Sequence, residues 1–298
     1  MNCGSHRGTI ALEEAEVLSQ QSWAGGQYVL RLRAPRCAAR AAPGSFAHLS
    51  CGAGIPMRRP LSIMRADPAT GTIEFLYKVI GQGLAALAAH RPGDTVSCLG
   101  PIGCGFAPDI ARPRSLLIGG GVGIPPMVFL AESLSRDRSA GWQPLVLMGS
   151  ELPFPFHVCT AATPVAGIPP AATGAMPLLE ALGIASRLAS RAGLAGCYSG
   201  FVTELAADWL GTLDTTTRRE VAVYACGPTP MLRACAVLAQ RFDVPCQVSL
   251  EEYMACGVGG CAGCAVPVAT PAGPAMKRVC VDGPVFPADA VFPAAAQG

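Results

Sequence analysis

Four cysteines near the C-terminal end, Cys256, Cys261, Cys264 and Cys280, stand as C-x4-C-x2-C with fifteen residues before the last. This is the plant-type spacing in which four thiolates hold the two irons of a [2Fe-2S] cluster. Between the first three lie only Gly257, Val258, Gly259, Gly260, Ala262 and Gly263. A loop so free of bulk can wrap an inorganic core and aim backbone N–H groups at sulfur, which tunes the potential of a cluster. The rival is a structural zinc held by four cysteines. Such sites generally arrive as two separated C-x2-C knuckles, and only one is present here. An iron-sulfur centre moves one electron at a time and binds no organic substrate, so another part of the chain must feed it.

Two glycine-bearing turns are candidates for that task. Gly119, Gly120, Gly121 and Gly123 follow a compact apolar strand and open a helix. They do not form a G-x-G-x-x-G fingerprint, because Ile124 stands where the third glycine would fall. Glycines still let backbone approach a pyrophosphate closely, and the following helix N-terminus favours negative charge. Cys226, Gly227 and Pro228 end a later strand, whose C-terminal end in a parallel sheet would face the same crevice. Cys226 is a candidate neighbour of a bound ring and equally a small wall residue. In the first third of the chain, Arg58, Arg59, Pro60, Leu61 and Ser62 enter a strand. A guanidinium offers a planar donor fork suited to phosphate and a serine hydroxyl adds a donor, although an exposed Arg pair on an edge strand is the bland alternative.

These residues need elements to hold them. Over the first hundred residues, short runs rich in β-branched, aromatic or alternating apolar residues predict strands at 28–32, 45–50, 61–64, 72–79 and 95–99. Strands at that spacing suggest an antiparallel barrel, with one short helix at about 83–90. From about Arg114 the rhythm becomes strand, turn, helix: strands at 115–118, 144–148 and 221–225, helices at 127–135 and 202–210. Thr229 is expected to cap a last helix with Pro230 in its first turn. Met231, Leu232, Cys235, Leu238 and Phe242 give that helix one packing face. Alternating strands and helices imply a parallel sheet with its crevice at the strand ends. The tract 151–196 is rich in Ala, Pro and Gly and reads poorly, with one helix expected at 177–182.

Composition narrows the function further. The 298 residues carry a formal charge of +2, and no run of Lys or Arg offers a footprint for nucleic acid or an anionic membrane. The most apolar stretch, 116–131, is broken by four glycines and two prolines, which leaves no membrane-spanning helix. No apolar leader follows the first residues, so a cytoplasmic setting with reduced thiols is expected. The other cysteines, Cys3 among them, are scattered among small or apolar neighbours and read as buried thiols. His6, His48, His90 and His157 are isolated and read as structural.

Barrel, nucleotide sheet and cluster, in that order, resemble the ferredoxin-reductase-like flavoproteins. The segments RRPLSI (58–63), LYKVIGQG (76–83), GPIGCGF (100–106), GGGVGIPP (119–126), YACGPTPM (224–231) and EEYMACGVGGCAGC (251–264) with Cys280 are similar, more closely, to the electron-transfer subunits of the two-subunit, NAD-linked dihydroorotate dehydrogenases. That resemblance implies a multidomain chain: an FAD-binding β-barrel (1–110), an NAD-binding α/β domain with a parallel sheet (111–245) and a small Cys-rich [2Fe-2S] domain (246–298). It implies that Arg59, Pro60, Leu61, Ser62, Leu76, Tyr77, Lys78, Gly83 and Leu84 hold FAD. The glycine loop with Cys226, Gly227 and Pro228 would receive NAD(H), and the four cysteines would carry the cluster. The implied partner is an FMN-containing catalytic subunit that oxidises dihydroorotate in pyrimidine biosynthesis. The alternatives are the same module serving another oxidoreductase, such as a hydrogenase, a ferredoxin-NADP reductase assembly or a pyrimidine reductase, and a redox-responsive binding protein whose flavin and cluster sense redox state. Two residues depart from the pattern: Leu84 stands where relatives commonly place Thr, and Leu61 where many ferredoxin reductases place a flavin-stacking Tyr. Glu151, just past the second sheet strand, would disfavour a 2'-phosphate by charge. Glu251 and Glu252, with Lys277 and Arg278, read as solvated charges beside the cluster.

Overall fold

The computed structural model describes residues 8–137, 139 and 141–293. Cys3 and His6 lie outside the described residues. Six antiparallel strands close a barrel: β1 (Ala11–Trp23), β2 (Gln27–Arg33), β3 (Phe46–Leu49), β4 (Arg59–Asp67), β5 (Thr72–Lys78) and β6 (Thr95–Ile102), in the order β1-β2-β5-β4-β3-β6. Inward-facing Leu30, Leu32, Ile63, Ile73, Phe75 and Val96 fill it. Two short helices, α1 (Pro35–Ala38) and α2 (Gly81–Ala88), lie in its connections.

The five strands expected from sequence are present, and β1 is an addition. Its sequence, ALEEAEVLSQQSW, is rich in helix-forming Glu and Gln, and its buried positions are the small Ala11, Ala15 and Val17. Pairing with β2 along one edge and β6 along the other holds it extended against that local preference.

The second unit is a seven-stranded sheet ordered β12-β11-β8-β7-β13-β14-β17. Its strands are β7 (Arg114–Gly120), β8 (Gln143–Gly149), β11 (Ala185–Ser190), β12 (Tyr198–Ser199), β13 (Val221–Cys226) and β14 (Cys246–Ser249), all parallel, with β17 (Val285–Pro287) antiparallel at one edge. Helix α3 (Ile124–Arg136) packs Met127, Val128, Leu130 and Leu134 on one face. On the other, α5 (Val202–Thr212) and α7 (Thr229–Phe242) contribute Leu205, Trp209, Leu232, Cys235 and Leu238. The expected stripe on α7 is therefore core. Thr229 does not cap α7: Pro228 occupies the cap position, and no side chain caps the helix. Gly227, at φ +157, turns the chain out of β13, so the helix starts one residue earlier than a Thr cap would allow.

The tract that reads poorly in sequence holds a two-stranded hairpin, β9 (Cys159–Thr160) with β10 (Gly174–Ala175), then α4 (Pro177–Ala181) and β11 itself. Arg187 hides β11 from sequence patterning because it is a charged residue buried mid-strand, where Nη1 and Nη2 donate to the carbonyls of Ser186 (2.6 Å) and Thr163 (2.8 Å). A short turn of helix, α6 (Thr215–Arg218), precedes β13.

The C-terminal unit is a hairpin, β15 (Ala265–Thr270) with β16 (Gly273–Arg278), and a last short helix, α8 (Ala288–Val291). It is anchored in the large sheet by β14 and β17, which precede and follow it. Across the barrel-sheet junction, Glu132 of α3 is almost fully buried and pairs with Arg65 of β4 at 2.9 Å. Among the described residues, no helix is long and apolar enough to cross a membrane.

Candidate functional site

The sheet order places its switch point between β7 and β13, since the chain winds outward from β7 through β8, β11 and β12 on one side and from β13 to β14 on the other. A crevice at such a point is where open α/β sheets bind ligands. There a cleft of about 1540 Å³ opens between the sheet's C-terminal edge and the barrel. It exceeds the roughly 300–1,000 Å³ of an ordinary single-ligand pocket. One wall is barrel: Arg59, Pro60, Leu61 and Ser62 of β4, Leu76, Tyr77 and Lys78 of β5, and Leu84 of α2. The other is sheet: Gly120 and Gly121 after β7, Gly149 to Leu152 after β8, Gly200 to Thr203 before and into α5, and Pro228 to Met231 after β13. The far end is walled by Ser249 to Ala255 and by Gly263 of the cysteine loop.

The two arginines divide their work. Arg58 is tied to the barrel, with Nη1 donating to the carbonyls of His48 (3.2 Å) and Ser97 (2.8 Å). Arg59 lies over the first turn of α2, where a Cβ on buried Gly83 would sit 2.7 Å from its Nη2. A guanidinium and helix N–H groups thus meet at one place, a combination suited to phosphate. Tyr77 turns its ring into the barrel, stacked on Tyr28 at 5.5 Å, and its hydroxyl donates to Gln20 Oε1 at 2.9 Å. Burial raises its phenol well above the ordinary range. Leu61 also packs with the barrel core while bordering the cleft.

The glycines of the β7 turn serve two purposes. Gly121, at φ +54 with open space around it, faces the cleft, as does Gly120. Gly119 and Gly123 do not line the cleft; they let elements touch. A Cβ on Gly123 would run into the carbonyl of Cys226, and one on Gly119 would lie 2.9 Å from Ile124 Cα. Cys226 and Gly227 lie behind the cleft surface, and Pro228 faces it. The Cys226 thiol is fully buried; desolvation, then Glu251, push it well above its usual range, against a hydrogen bond from Ser249.

Glu251 reads from the sequence as a solvated charge, and it is solvent-exposed where it follows β14 at the cleft, yet protein atoms around its carboxyl raise its pKa above the usual value. The signal that could have located it is its place two residues beyond a strand that ends beside β13. Glu151 also borders the cleft and pairs with Arg191 at 3.7 Å, while the Arg191 guanidinium lies 4.6 Å from the Phe201 ring centre.

Two of the cysteines, Cys264 and Cys280, meet at the open end of the β15–β16 hairpin. Ala265 pairs with Arg278, which brings Cys264 and Cys280 together with their sulfurs 3.3 Å apart. The loop before them turns through Gly257 (φ +69), Gly259 (φ +84) and Ala262 (φ +54). Its N–H groups point at sulfur: Cys261 N donates to Cys256 Sγ and Gly263 N to Cys261 Sγ, both at 3.4 Å. Burial opposes ionisation of Cys256, but N–H groups of Val258, Cys261 and Gly260 prevail and lower its thiol to about 6. Burial and the neighbouring Cys264 push Cys280 up to about 12. Four thiols on small-residue backbone, with sulfur-directed N–H groups, fit an iron-sulfur cluster. Among the described residues, the four are not drawn into a closed metal-ligand group.

Of the described histidines, His90 bonds through Nδ1 with Ala86 O (3.1 Å) and Leu87 O (3.2 Å) at the end of α2, and His157 meets Trp23 edge-on. His48 is buried, and desolvation followed by Arg58 lowers its pKa to about 4.

A flavin-wall barrel, a nucleotide crevice and a cysteine loop opening into one cleft define a ferredoxin-reductase-like protein with an iron-sulfur module. Solved structures agree. The NADH-dependent reduced ferredoxin-NADP oxidoreductase is similar over 94% of this chain and 90% of its own, with a TM-score of 0.73 and 26% identity. The ferredoxin reductase of carbazole 1,9a-dioxygenase shares the fold, with a TM-score of 0.59 and 22% identity over 79% and 67% of the two chains. The model of the iron-sulfur cluster binding domain of dihydroorotate dehydrogenase B matches residues 251–292. The dihydroorotate dehydrogenase B (NAD(+)) electron transfer subunit of Bacillus caldolyticus is 36% identical, covering 95% of this chain and 99% of the relative. That of Desulforamulus reducens is 33% identical, covering 92% and 95%. The chain belongs to the family of dihydroorotate dehydrogenase B electron transfer subunits.

Proposed function

We propose that this chain relays electrons between NAD(H) and a partner FMN subunit that oxidises dihydroorotate. The observation that carries the reading is the continuity of one cleft from the β7 glycine turn, past the β4–β5 wall, to the backbone of the cysteine loop. FAD, when bound, exchanges a hydride with the nicotinamide and single electrons with the [2Fe-2S] centre, which is why it must lie between the two.

The protein's part is holding and aiming. Arg59 and the first turn of α2 at Gly83 neutralise the flavin pyrophosphate. Pro60, Leu61, Ser62, Leu76, Tyr77, Lys78 and Leu84 wall the ring system, with Tyr77 acting through its backbone because its ring belongs to the barrel. Gly120 and Gly121 offer backbone to the nicotinamide nucleotide. Gly119, Gly123, Cys226 and Gly227 fix the two turns against each other, and Pro228 borders the ligand. Glu151 faces the adenosine end, where its charge favours a 2'-hydroxyl over a 2'-phosphate, so NADH is the expected donor. Cys256, Cys261, Cys264 and Cys280 hold the cluster. The three functional units are 1–110, 111–245 and 246–298, and the chain works in the cytoplasm.

Arg59→Ala should lower FAD affinity about ten- to a hundredfold, the worth of a charge-assisted hydrogen bond of about 1.5–3 kcal/mol, measured as flavin retained on dialysis. Unchanged flavin occupancy would remove Arg59 from the site. Coexpression with an FMN-containing, dihydroorotate-oxidising subunit should give a complex that reduces NAD+ with dihydroorotate. Isolation with a hydrogenase or a ferredoxin-linked partner instead would assign the module to another oxidoreductase.

A further inference from the structure

His48 lies on β3 with no solvent exposure, and neither ring nitrogen has a hydrogen-bond partner of full geometry. Its backbone belongs to the flavin side of the molecule: His48 is the cross-strand partner of Pro60, and its carbonyl accepts from Arg58 Nη1 at 3.2 Å. Its ring belongs to the cluster side. A Cβ on Gly257 would lie 2.9 Å from His48 Nδ1, and the backbone of Met254 and Cys256 borders the imidazole. Gly257, at φ +69, brings the loop onto the ring with bare backbone.

Packing alone does not account for an imidazole here. A buried donor left unpaired costs about 1–3 kcal/mol, and an apolar ring would fill the same space without that loss. Whichever tautomer it adopts, the ring carries at least one N–H. The acceptors on that side are the backbone carbonyls of Met254 and Cys256, in the segment that leads into and opens the cysteine loop.

We propose that His48 is a positioning residue that donates a ring N–H to the cluster-bearing loop, registering that loop on the flavin-binding strand β4. This rests on the relay reading above. Such an outer hydrogen bond orients the liganding backbone and tunes the centre it surrounds. The single residue thereby joins the two redox sites mechanically, through Pro60 on one side and Gly257 on the other.

The test compares His48→Phe, which keeps a ring and removes the donor, with His48→Gln, which keeps a donor, in anaerobically purified full-length protein. For His48→Phe, FAD content and the rate of flavin bleaching by NADH should be unchanged. Iron loss to a chelator should quicken by about tenfold or more, the usual effect of removing such a partner, and the paramagnetic spectrum of the dithionite-reduced protein should shift. His48→Gln should recover part of both. Unchanged chelation rate and spectrum in His48→Phe would overturn the proposal. Should His48→Phe fail to fold, pulsed paramagnetic resonance on the unsubstituted protein, labelled with ¹⁵N-histidine and exchanged into heavy water, decides. Coupling of a histidine ring nitrogen to the cluster is expected, and its absence overturns the proposal. Failure of NADH to bleach the flavin in the unsubstituted protein would instead sink the relay reading itself.

Discussion

The β7–β13 turns and the cysteine loop are both built on glycine, for opposite reasons. In the turns, Gly123 lets one backbone touch another, at the carbonyl of Cys226, and that contact is made by the protein alone. In the cysteine loop, Gly260 has open space around it, and Gly263 meets only Cys261 Sγ, at 3.6 Å. Its turns at Gly257 and Gly259 carry N–H groups that point at sulfur, and Gly257 also packs on His48. One region is preorganised by packing; the other is open backbone that turns N–H groups toward its own sulfurs. A nicotinamide nucleotide must come and go, so its site has to stand without it; a resident cluster can be part of the loop's own structure.

Substitutions separate the two regions. Cys264→Ser should have the largest effect, removing iron and acid-labile sulfide almost completely while FAD and its bleaching by NADH persist. Loss of NADH-driven bleaching with FAD still bound would show that the regions are not independent. Gly123→Ala should destabilise by about 1–3 kcal/mol in urea unfolding and weaken NADH binding, because the Cys226–Gly227 backbone leaves no room for the methyl group. Gly121→Ala, which meets only the strain of φ +54, should cost about 1 kcal/mol, so equal losses at the two positions would contradict the packing account.

The smallest effect is expected at Glu251. Its carboxyl is raised by the protein atoms around it while the residue stays exposed to solvent, so its ionised form weakens the fold only slightly. That weakening is complete above the folded pKa and absent below the unfolded value of 4.5, where both states are protonated. Glu251→Gln should therefore raise the melting temperature slightly at about pH 7, with the difference closing toward about pH 4. A gain that persists in acid would point to packing instead of charge.

The chemistry of this chain was more legible than its framework. Cysteine spacing exposes the cluster loop because ligand number and loop length are local properties. The strand-turn-helix rhythm around Gly119 to Gly123 exposes the crevice for the same reason. What stayed hidden depends on distant partners. Strand β1 is a run of helix formers held extended by two neighbours, and β11 carries a buried Arg187 whose partners include the distant Thr163 carbonyl. For Tyr77, which borders the cleft, it is the ring direction that strand alternation decides, inward against Tyr28. Glu251 reads as solvated and is exposed, but only the pairing of β14 beside β13 shows that it borders the cleft.

The central claim is that NADH electrons cross this cleft to the chain's own iron-sulfur centre. An anaerobic titration with NADH, followed at once by flavin absorbance and paramagnetic resonance and normalised to FAD, iron and sulfide, tests it directly. The account predicts bleaching of one flavin per chain together with the signal of a reduced [2Fe-2S] centre. Protein that bleaches its flavin but stays silent with NADH and with dithionite, or that holds zinc without sulfide, would contradict it.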